Sequence, residues 1–445
     1  MPHPDPPRRD PAVFEALFRP KAVAVVGAST QPEKLGYQVF RNLTEAGFAG
    51  PLHPVNPKAD AILGRKAYPS VADLPEPADL AVIIVPARLV PETIRACGRK
   101  GTRAAIVISG GFSESGPEGE RLQQDAVAAA REAGIALVGP NCQGVNHPYH
   151  GLCASWPLLT TRGCMAIASQ SGTVGAALMD WAAQEELGVS AFVSMGNRAD
   201  VDESDLLDYF AADPNTRAIA LYIEGIKSVP RFLRAVAGCS KPLVVLKAGR
   251  TPKGRKAAES HTRSLAGRDE VYEGAFRQYR IHRAATLEEL YDAAKALAYL
   301  TRPAGKRICI ITSSGGSGIL ATDAAENAGL DVAPLPEALR AALKPVLPAH
   351  CTVANPLDLT GDATAAMYRQ VAEAAAPHFD SLVVIFGDPI PGASEVIPAA
   401  SPHAVICLGG ADVEREERAR MHRKGLPTFP TPERGVLALS HLTRF

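Results

Sequence analysis

The sequence predicts an α/β protein of doubly wound parallel sheets, and three observations predict it. Short runs rich in Val and Ile alternate with Ala-rich helical stretches along the chain. One passage, a strand running into small residues and then a helix, recurs three times, as AVAVVGAST, MAIASQSGTVGAAL and RICIITSSGGSGIL. The length, 445 residues, exceeds what one hydrophobic core serves and suits two or three domains. Strands separated by helices pair in parallel, because a parallel partner is reached only by a crossover, and the helices cover the sheet faces. Ligands of such sheets lie at the carboxyl ends of the strands.

Taken in order, MPHPDPPRRDP is too rich in proline and charge to pack and reads as part of a loose arm over residues 1–20, with docking on a partner as its other use. The first series, residues 21–150, holds strands in KAVAVVG, PLHPVN, ADLAVIIVP, RAAIVIS and IALVGP, each bounded by Gly, Pro, Ser or a polar turn. The second, residues 151–300, holds CMAIAS, VSAFVS, RAIALYIEG and KPLVVLKAG. The third, residues 301–445, holds KRICIITSS, SLVVIFGDP and HAVICLGG. The joints are expected near 151–162 and at TRPAGK, residues 301–306, where the apolar periodicity lapses.

Composition narrows the function. Apolar residues make up 46%, as in soluble chains, and no stretch nears the roughly 18 apolar residues a membrane-spanning helix needs. The 47 basic and 47 acidic side chains cancel, which leaves no bulk field for nucleic acid or an anionic membrane. Any anion site is therefore local. The eight cysteines form no C-x-x-C pair and follow no signal peptide, so a reducing cytoplasm is expected. His147 and His150, in HPYHG, lack a third ligand, and no metal site is expected.

Small residues between a strand and a helix let backbone N–H groups and the helix dipole face an anion, which makes phosphate the natural ligand; each copy alone serves equally for tight packing. The first copy departs from the dinucleotide fingerprint, since Gly27 is followed by Ala28, Ser29 and Thr30 and the next glycine is Gly36. PLHPVN ends in Asn56-Pro57-Lys58, where an NAD enzyme usually offers an acid to the ribose, and Lys58 suits a phosphate or plain solvent instead. G-x-x-x-x-G-K-[ST], the common NTPase loop, is absent.

The succession VVGAST, VNPK, VIIVP, SGGFSE and GPNCQG over residues 25–144, then SQSG at 169–172, SMGNRADVDESDLL, LYIEG and SHTRSLAG, resembles the alpha subunit of NDP-forming acyl-CoA synthetases, in the succinyl-CoA ligase superfamily. GGSGILATDAAENAGL and NPLDLTGDA extend the resemblance, which runs in the family's order over nearly the whole chain after residue 20. It implies a Rossmann-like CoA-binding domain at 21–150 and two flavodoxin-like domains at 151–300 and 301–445. A separate ATP-grasp beta subunit would bind ATP or ADP and Mg²⁺, making a hetero-oligomer.

His261, in SHTRSLAG, reads locally as a capping or surface histidine; the resemblance implies that it is the residue the family phosphorylates. A neutral imidazole is nucleophilic near pH 7 and passes a phosphoryl group on readily. The resemblance likewise implies that Ser169, Gln170, Ser171 and Gly172 hold the phosphoryl group at a helix start, and that Glu224 in LYIEG fixes the imidazole, although Glu224 alone would serve as a turn cap. For CoA it points to Gly27, Ser29, Thr30, Lys58, Val85 and Pro86, with Ser109, Gly110, Gly111 and Asn141 toward the thiol. Cys142 reads as a small buried residue rather than a nucleophile. Arg263 stands where the family usually has glycine, so it either binds an anion or obstructs the loop. The activity implied is ATP-dependent joining of a small carboxylic acid to CoA; a CoA-sensing protein that has lost its partner is the alternative.

Overall fold

The structure, a computed structural model, describes residues 9–156, 158–262, 268–399 and 401–444, with residues 259–262 and 411 described by their backbone alone. It divides into two compact units, residues 1–184 with 188–283, and residues 185–187 with 284–445.

The first unit contains, among the described residues, two large sheets and a ribbon. In the first sheet β1 (Val23–Val26) pairs in parallel with β2 (Leu52–Val55). A ribbon of β3 (Ala61–Ile62) and β4 (Arg65–Lys66) follows. The chain then returns to the other side of β1 with β5 (Leu80–Ile83), β6 (Ala104–Val107) and β7 (Ala136–Val138), so the order is β2-β1-β5-β6-β7. Every residue of these five strands is buried, which is why β1, β5, β6 and β7 read as unbroken apolar runs rather than alternating ones, with His53 in β2 the polar exception. The reversal of direction lies between β1 and β5, and the crevice beyond their carboxyl ends is where such a sheet takes its ligand.

The second sheet begins earlier than the joint expected near 151–162: β8 (Gly144–His147) and β9 (Leu152–Ser155) form a hairpin that pairs antiparallel with β11 (Val189–Ser194). Beyond them β10 (Arg162–Ser169), β12 (Ala218–Ile223), β13 (Leu243–Lys247) and β14 (His282–Ala284) complete the order β14-β13-β12-β10-β11-β8-β9.

Residues 11–18, expected within a loose arm, form a helix instead, α1 (Pro11–Phe18). Asp10 caps it, accepting from the Ala12 N–H at 2.9 Å, and Pro11 occupies its first turn, where a missing N–H costs nothing. Phe14, Leu17 and Phe18 share one face and are buried, while Arg9 is tied to Asp200 at 2.6 Å. Proline and charge dominate the composition here, but the apolar spacing decides the fold.

His147, 1% exposed, lies 6.0 Å ring to ring from Phe18, and neither of its ring nitrogens has a hydrogen-bond partner among the described residues. Burial pulls its imidazole down from 6.5 to about 4, against the pull of Asp213. The unfolded chain therefore binds this proton first; the contribution to stability is complete above about pH 6.5 and is lost as the pH falls toward 4. The expected loss from this group is roughly 2–3 kcal/mol at pH 4.5. Urea unfolding of parent and His147→Phe at pH 7 and 4.5 measures it, and equal acid sensitivity in both would refute it.

In the second unit β15 (Ile308–Thr312), β16 (Leu357–Asp358), β17 (Ser381–Phe386), β18 (Ala404–Cys407) and β19 (Thr428–Phe429) form a parallel sheet in the order β16-β15-β17-β18-β19. Lys295, 0% exposed, is held beneath it by Glu185 at 3.0 Å and the Thr428 carbonyl at 2.9 Å. Among the described residues no helix is long and apolar enough to cross a membrane.

Candidate active site

The first unit carries, at the carboxyl ends of its strands, a cleft of about 870 Å³. Gly110 and Asn141 line it from the first sheet, and Ser171, Gly172, Arg198 and Lys227 from the second.

On the first sheet, the turn after β1 is built around Gly27, whose φ of +93° and distance of only 2.1 Å between an added Cβ and the Ile84 carbonyl oxygen exclude any other residue. Ser29 is buried, its Oγ accepting from the Gln31 N–H at 3.0 Å, whereas Thr30 and Lys58 are exposed. Asn56 joins these two segments, donating to the Ala28 carbonyl at 2.8 Å and accepting from the Lys58 N–H at 2.8 Å. Beside them Val85 is half-buried and Pro86 exposed; the Val85 carbonyl accepts from Ser109 Oγ at 2.6 Å, which ties two strand ends together. The crevice thus offers a tight glycine turn, hydroxyls and one exposed cation, a set that fits a phosphate-bearing ligand such as CoA.

Gly111, at φ +98°, turns the next loop so that its N–H and that of Phe112 reach Glu114 Oε1 at 2.6 and 3.0 Å. Although burial pushes the Glu114 carboxyl up, the Asn197 amide and the backbone N–H groups of Phe112, Glu114 and Gly111 hold it below the usual range. Cys142 donates to the Val107 carbonyl at 3.3 Å, and burial pushes its thiol up to about 12, so it stays a protonated core residue.

On the second sheet β10 ends at Ser169, and α5 (Gly172–Gln184) starts three residues later. Ser169 Oγ donates to the Ser171 carbonyl at 2.6 Å, and Ser171 Oγ accepts from the Val174 N–H at 3.4 Å. Gln170 behaves differently from its neighbours. Its N–H donates to the Tyr222 carbonyl at 3.2 Å, its Oε1 accepts from the Glu224 and Gly225 N–H groups at 2.7 and 3.3 Å, and its Nε2 donates to the Gly225 carbonyl at 2.9 Å. Gln170 therefore positions the loop that carries Glu224. Glu224, 5% exposed, accepts from Tyr222 Oη at 3.5 Å, and burial together with Glu224 pushes that phenol up to about 12.

His261 belongs by its backbone to α8 (Pro252–Thr262), which follows β13. Since β13, β12 and β10 are adjacent and parallel, the segments bearing His261, Glu224 and Ser169–Gly172 all leave one edge of the sheet. The His261 side chain and the whole of Arg263 lie outside the described residues.

The turn at residues 194–198 received no role from the sequence. Its Asn197 N–H donates to the Pro140 carbonyl at 2.9 Å, and Asn197 Nδ2 donates to Ser113 Oγ, Glu114 Oε2 and Gln123 Oε1 at 3.2, 2.5 and 2.9 Å. Arg198, at φ +51° and 3% exposed, donates through Nη1 to the Gly225 carbonyl at 2.8 Å and to Glu203 at 3.2 Å. Lys227 donates through Nζ to the carbonyls of Arg198 and Asn197, and burial, aided by Arg198, pulls its ammonium down to about 8. Among the described residues no group of three or more His, Cys, Asp or Glu side chains is arranged to hold a metal.

A model described as a CoA binding domain matches residues 21–148, one described as a succinyl-CoA ligase like flavodoxin domain matches 162–297, and a Ligase-CoA domain matches 308–390. The fold and the site thus define a CoA ligase of the succinyl-CoA ligase type. The acetate–CoA ligase [ADP-forming] I subunit alpha of Pyrococcus furiosus is 42% identical, with 97% of each chain covered. At this similarity the chain belongs to the family of ADP-forming acetate–CoA ligase alpha subunits. The acetate–CoA ligase [ADP-forming] I of Archaeoglobus fulgidus is 40% identical over 97% of this chain, which spans 64% of that longer protein. Among solved structures, the dinucleotide forming acetyl-coenzyme A synthetase 1 of Ca. Korarchaeum cryptofilum, in complex with phosphate and ADP, superposes with a TM-score of 0.88 at 39% identity, covering 96% of each chain.

Proposed function

We propose that this chain is the CoA-binding, histidine-phosphorylated subunit of an ADP-forming acid–CoA ligase that works in the cytoplasm. The observation that carries the reading is the meeting, in one cleft, of the expected thiol end of the CoA site, Gly110 and Asn141, with the phosphate helix start, Ser171 and Gly172. Gly27, Ser29, Thr30, Lys58, Val85 and Pro86 hold CoA, with Ser109 and Gly111 shaping the loop toward the thiol. Gln170, Ser171 and Gly172, which line the cleft, face the phosphoryl group; Ser169, buried with its hydroxyl on the Ser171 carbonyl, shapes their turn, and Gln170 also supports Glu224, which orients His261.

His261 takes the terminal phosphoryl group of ATP and gives it to a carboxylate: an oxygen–phosphorus bond forms as the nitrogen–phosphorus bond breaks, leaving the ring free. The CoA sulfur then bonds to the acyl carbon as phosphate leaves, which yields the thioester and inorganic phosphate. A separate ATP-grasp subunit supplies the nucleotide and Mg²⁺ sites; the greater length of the Archaeoglobus relative supports such a division between chains. The eight free thiols support a reducing compartment. Domains at 21–150, 151–300 and 301–445 are the working division of the chain. Calorimetry should show CoA binding to the purified chain, which should consume no ATP with acetate until the ATP-grasp subunit is added. Robust turnover by the chain alone overturns this division of labour.

A further inference from the structure

We infer that Asn197 is a positioning residue for thioester formation: its side chain sets the thiol end of the CoA site at a fixed place relative to the Glu224 loop. The inference rests on the ligase reading above. The amide of Asn197 is half-buried in the wall of the cleft and bonds through both of its atoms. Its nitrogen, with two N–H donors, lies 3.2, 2.5 and 2.9 Å from Ser113 Oγ, Glu114 Oε2 and Gln123 Oε1, and its Oδ1 accepts from Asn141 Nδ2 at 3.3 Å. These partners frame the expected thiol end. A Cβ added to Gly110 would lie 3.3 Å from both Asn141 Oδ1 and Glu114 Oε1, so two of the side chains that Asn197 holds stand against that glycine.

The other half of the turn serves the phosphoryl chemistry, since Arg198 donates to the Gly225 carbonyl, beside Glu224, at 2.8 Å. Two consecutive residues thus reach the two loops whose ligands must meet, the CoA sulfur and the acyl group activated at the phosphate helix. The fold of the turn is served by other bonds. The backbone N–H groups of Asn197, Ala199 and Val201 donate to the carbonyls of Pro140, Gly139 and Leu137 at 2.9, 2.9 and 3.0 Å, and Asp200 Oδ2 accepts from the Leu137 N–H at 3.0 Å. None of these needs the Asn197 side chain. The amide therefore adds alignment to a segment already fixed, and a misplacement of about 1 Å between reacting groups costs on the order of 10²-fold in rate.

The test uses the complex with the ATP-grasp subunit and measures labelling of the chain by ATP, CoA affinity by calorimetry, and acetyl-CoA formation from acetate. Asn197→Ala should lower kcat for acetyl-CoA by ~30-fold or more, while the labelling rate, the CoA dissociation constant and the melting temperature hold. Asn197→Asp sets a carboxylate against Glu114 and should be at least as slow. Adding Glu114→Gln to it reverses donor and acceptor across the same contact and should restore kcat by ~10-fold or more. An unchanged kcat in Asn197→Ala, a labelling rate that falls as far as kcat, or a double variant no faster than Asn197→Asp each overturns the inference. A parent that ATP labels, together with full turnover in Asn197→Ala, sinks only the inference, whereas a parent with neither label nor turnover sinks the ligase reading as well.

Discussion

His261→Ala should abolish the acid-labile, alkali-stable phosphoryl label that ATP and Mg²⁺ leave on this chain in the complex, and lower acid-dependent turnover by at least ~10³-fold. The expectation is so large because an acid-labile, alkali-stable label is what phosphohistidine gives and hydroxyl or thiol nucleophiles nearby are poorly placed to replace it. Cys142 is held protonated in the core, and Ser171 spends its hydroxyl on the start of α5. Phosphoserine would in any case survive acid. Glu224→Gln is the graded companion. It keeps the side-chain volume and the backbone contacts to Gln170 but removes the charge that stabilises an imidazolium, so labelling should slow by ~10–100-fold with CoA binding intact. Full labelling and turnover in His261→Ala would show that His261 is not the phosphoryl carrier.

The sheets were legible because parallel strands buried on both faces leave continuous Val and Ile runs; Ala104–Val107 and Leu243–Lys247 stand where such runs placed them. The glycine turn at Gly27 was legible for a related reason, since a strand end with φ of +93° admits little else. Helix α1 was hidden because proline and charge dominate the composition around the spacing of Phe14, Leu17 and Phe18. The Asn197–Arg198 turn was out of reach for a different reason. Its meaning lies in bonds to Ser113, 84 positions earlier, and to Gly225, 27 positions later, and polar residues carry no periodicity that announces such partners. One trace was available: SMGNR places a glycine before an arginine that adopts a left-handed conformation, a strain that non-glycine residues accept mainly where surrounding contacts demand it. Gln170 shows the same limit, because its bonds to the Glu224 loop cannot be read until β10 and β12 are known to be neighbours.

Arg198→Met should cost the folded chain about 3–5 kcal/mol, the usual penalty for removing one partner of a buried ion pair. Glu203 is 1% exposed and starts α6 (Glu203–Ala212), so without the guanidinium its carboxylate loses its ion-pair partner and cannot reach water, and it must take up a proton or unfold its surroundings. Burial already pushes this carboxyl up while Arg198 pulls it down, which is the balance the substitution tips. The Gly225 carbonyl loses its 2.8 Å donor in the same step. Urea unfolding at pH 7 measures the loss, and the double variant Arg198→Met, Glu203→Leu should recover a large part of it, because removing both charges leaves no orphan. A loss below ~1 kcal/mol in the single variant, or no recovery in the double, would show that the pair is not what holds this turn. The recovered double variant is also informative about chemistry: its fold returns and the Gly225 carbonyl keeps its bond from Gln170 but not the one from Arg198, so any remaining deficit in labelling measures how far the Glu224 loop depends on being tied to the Asn197–Arg198 turn.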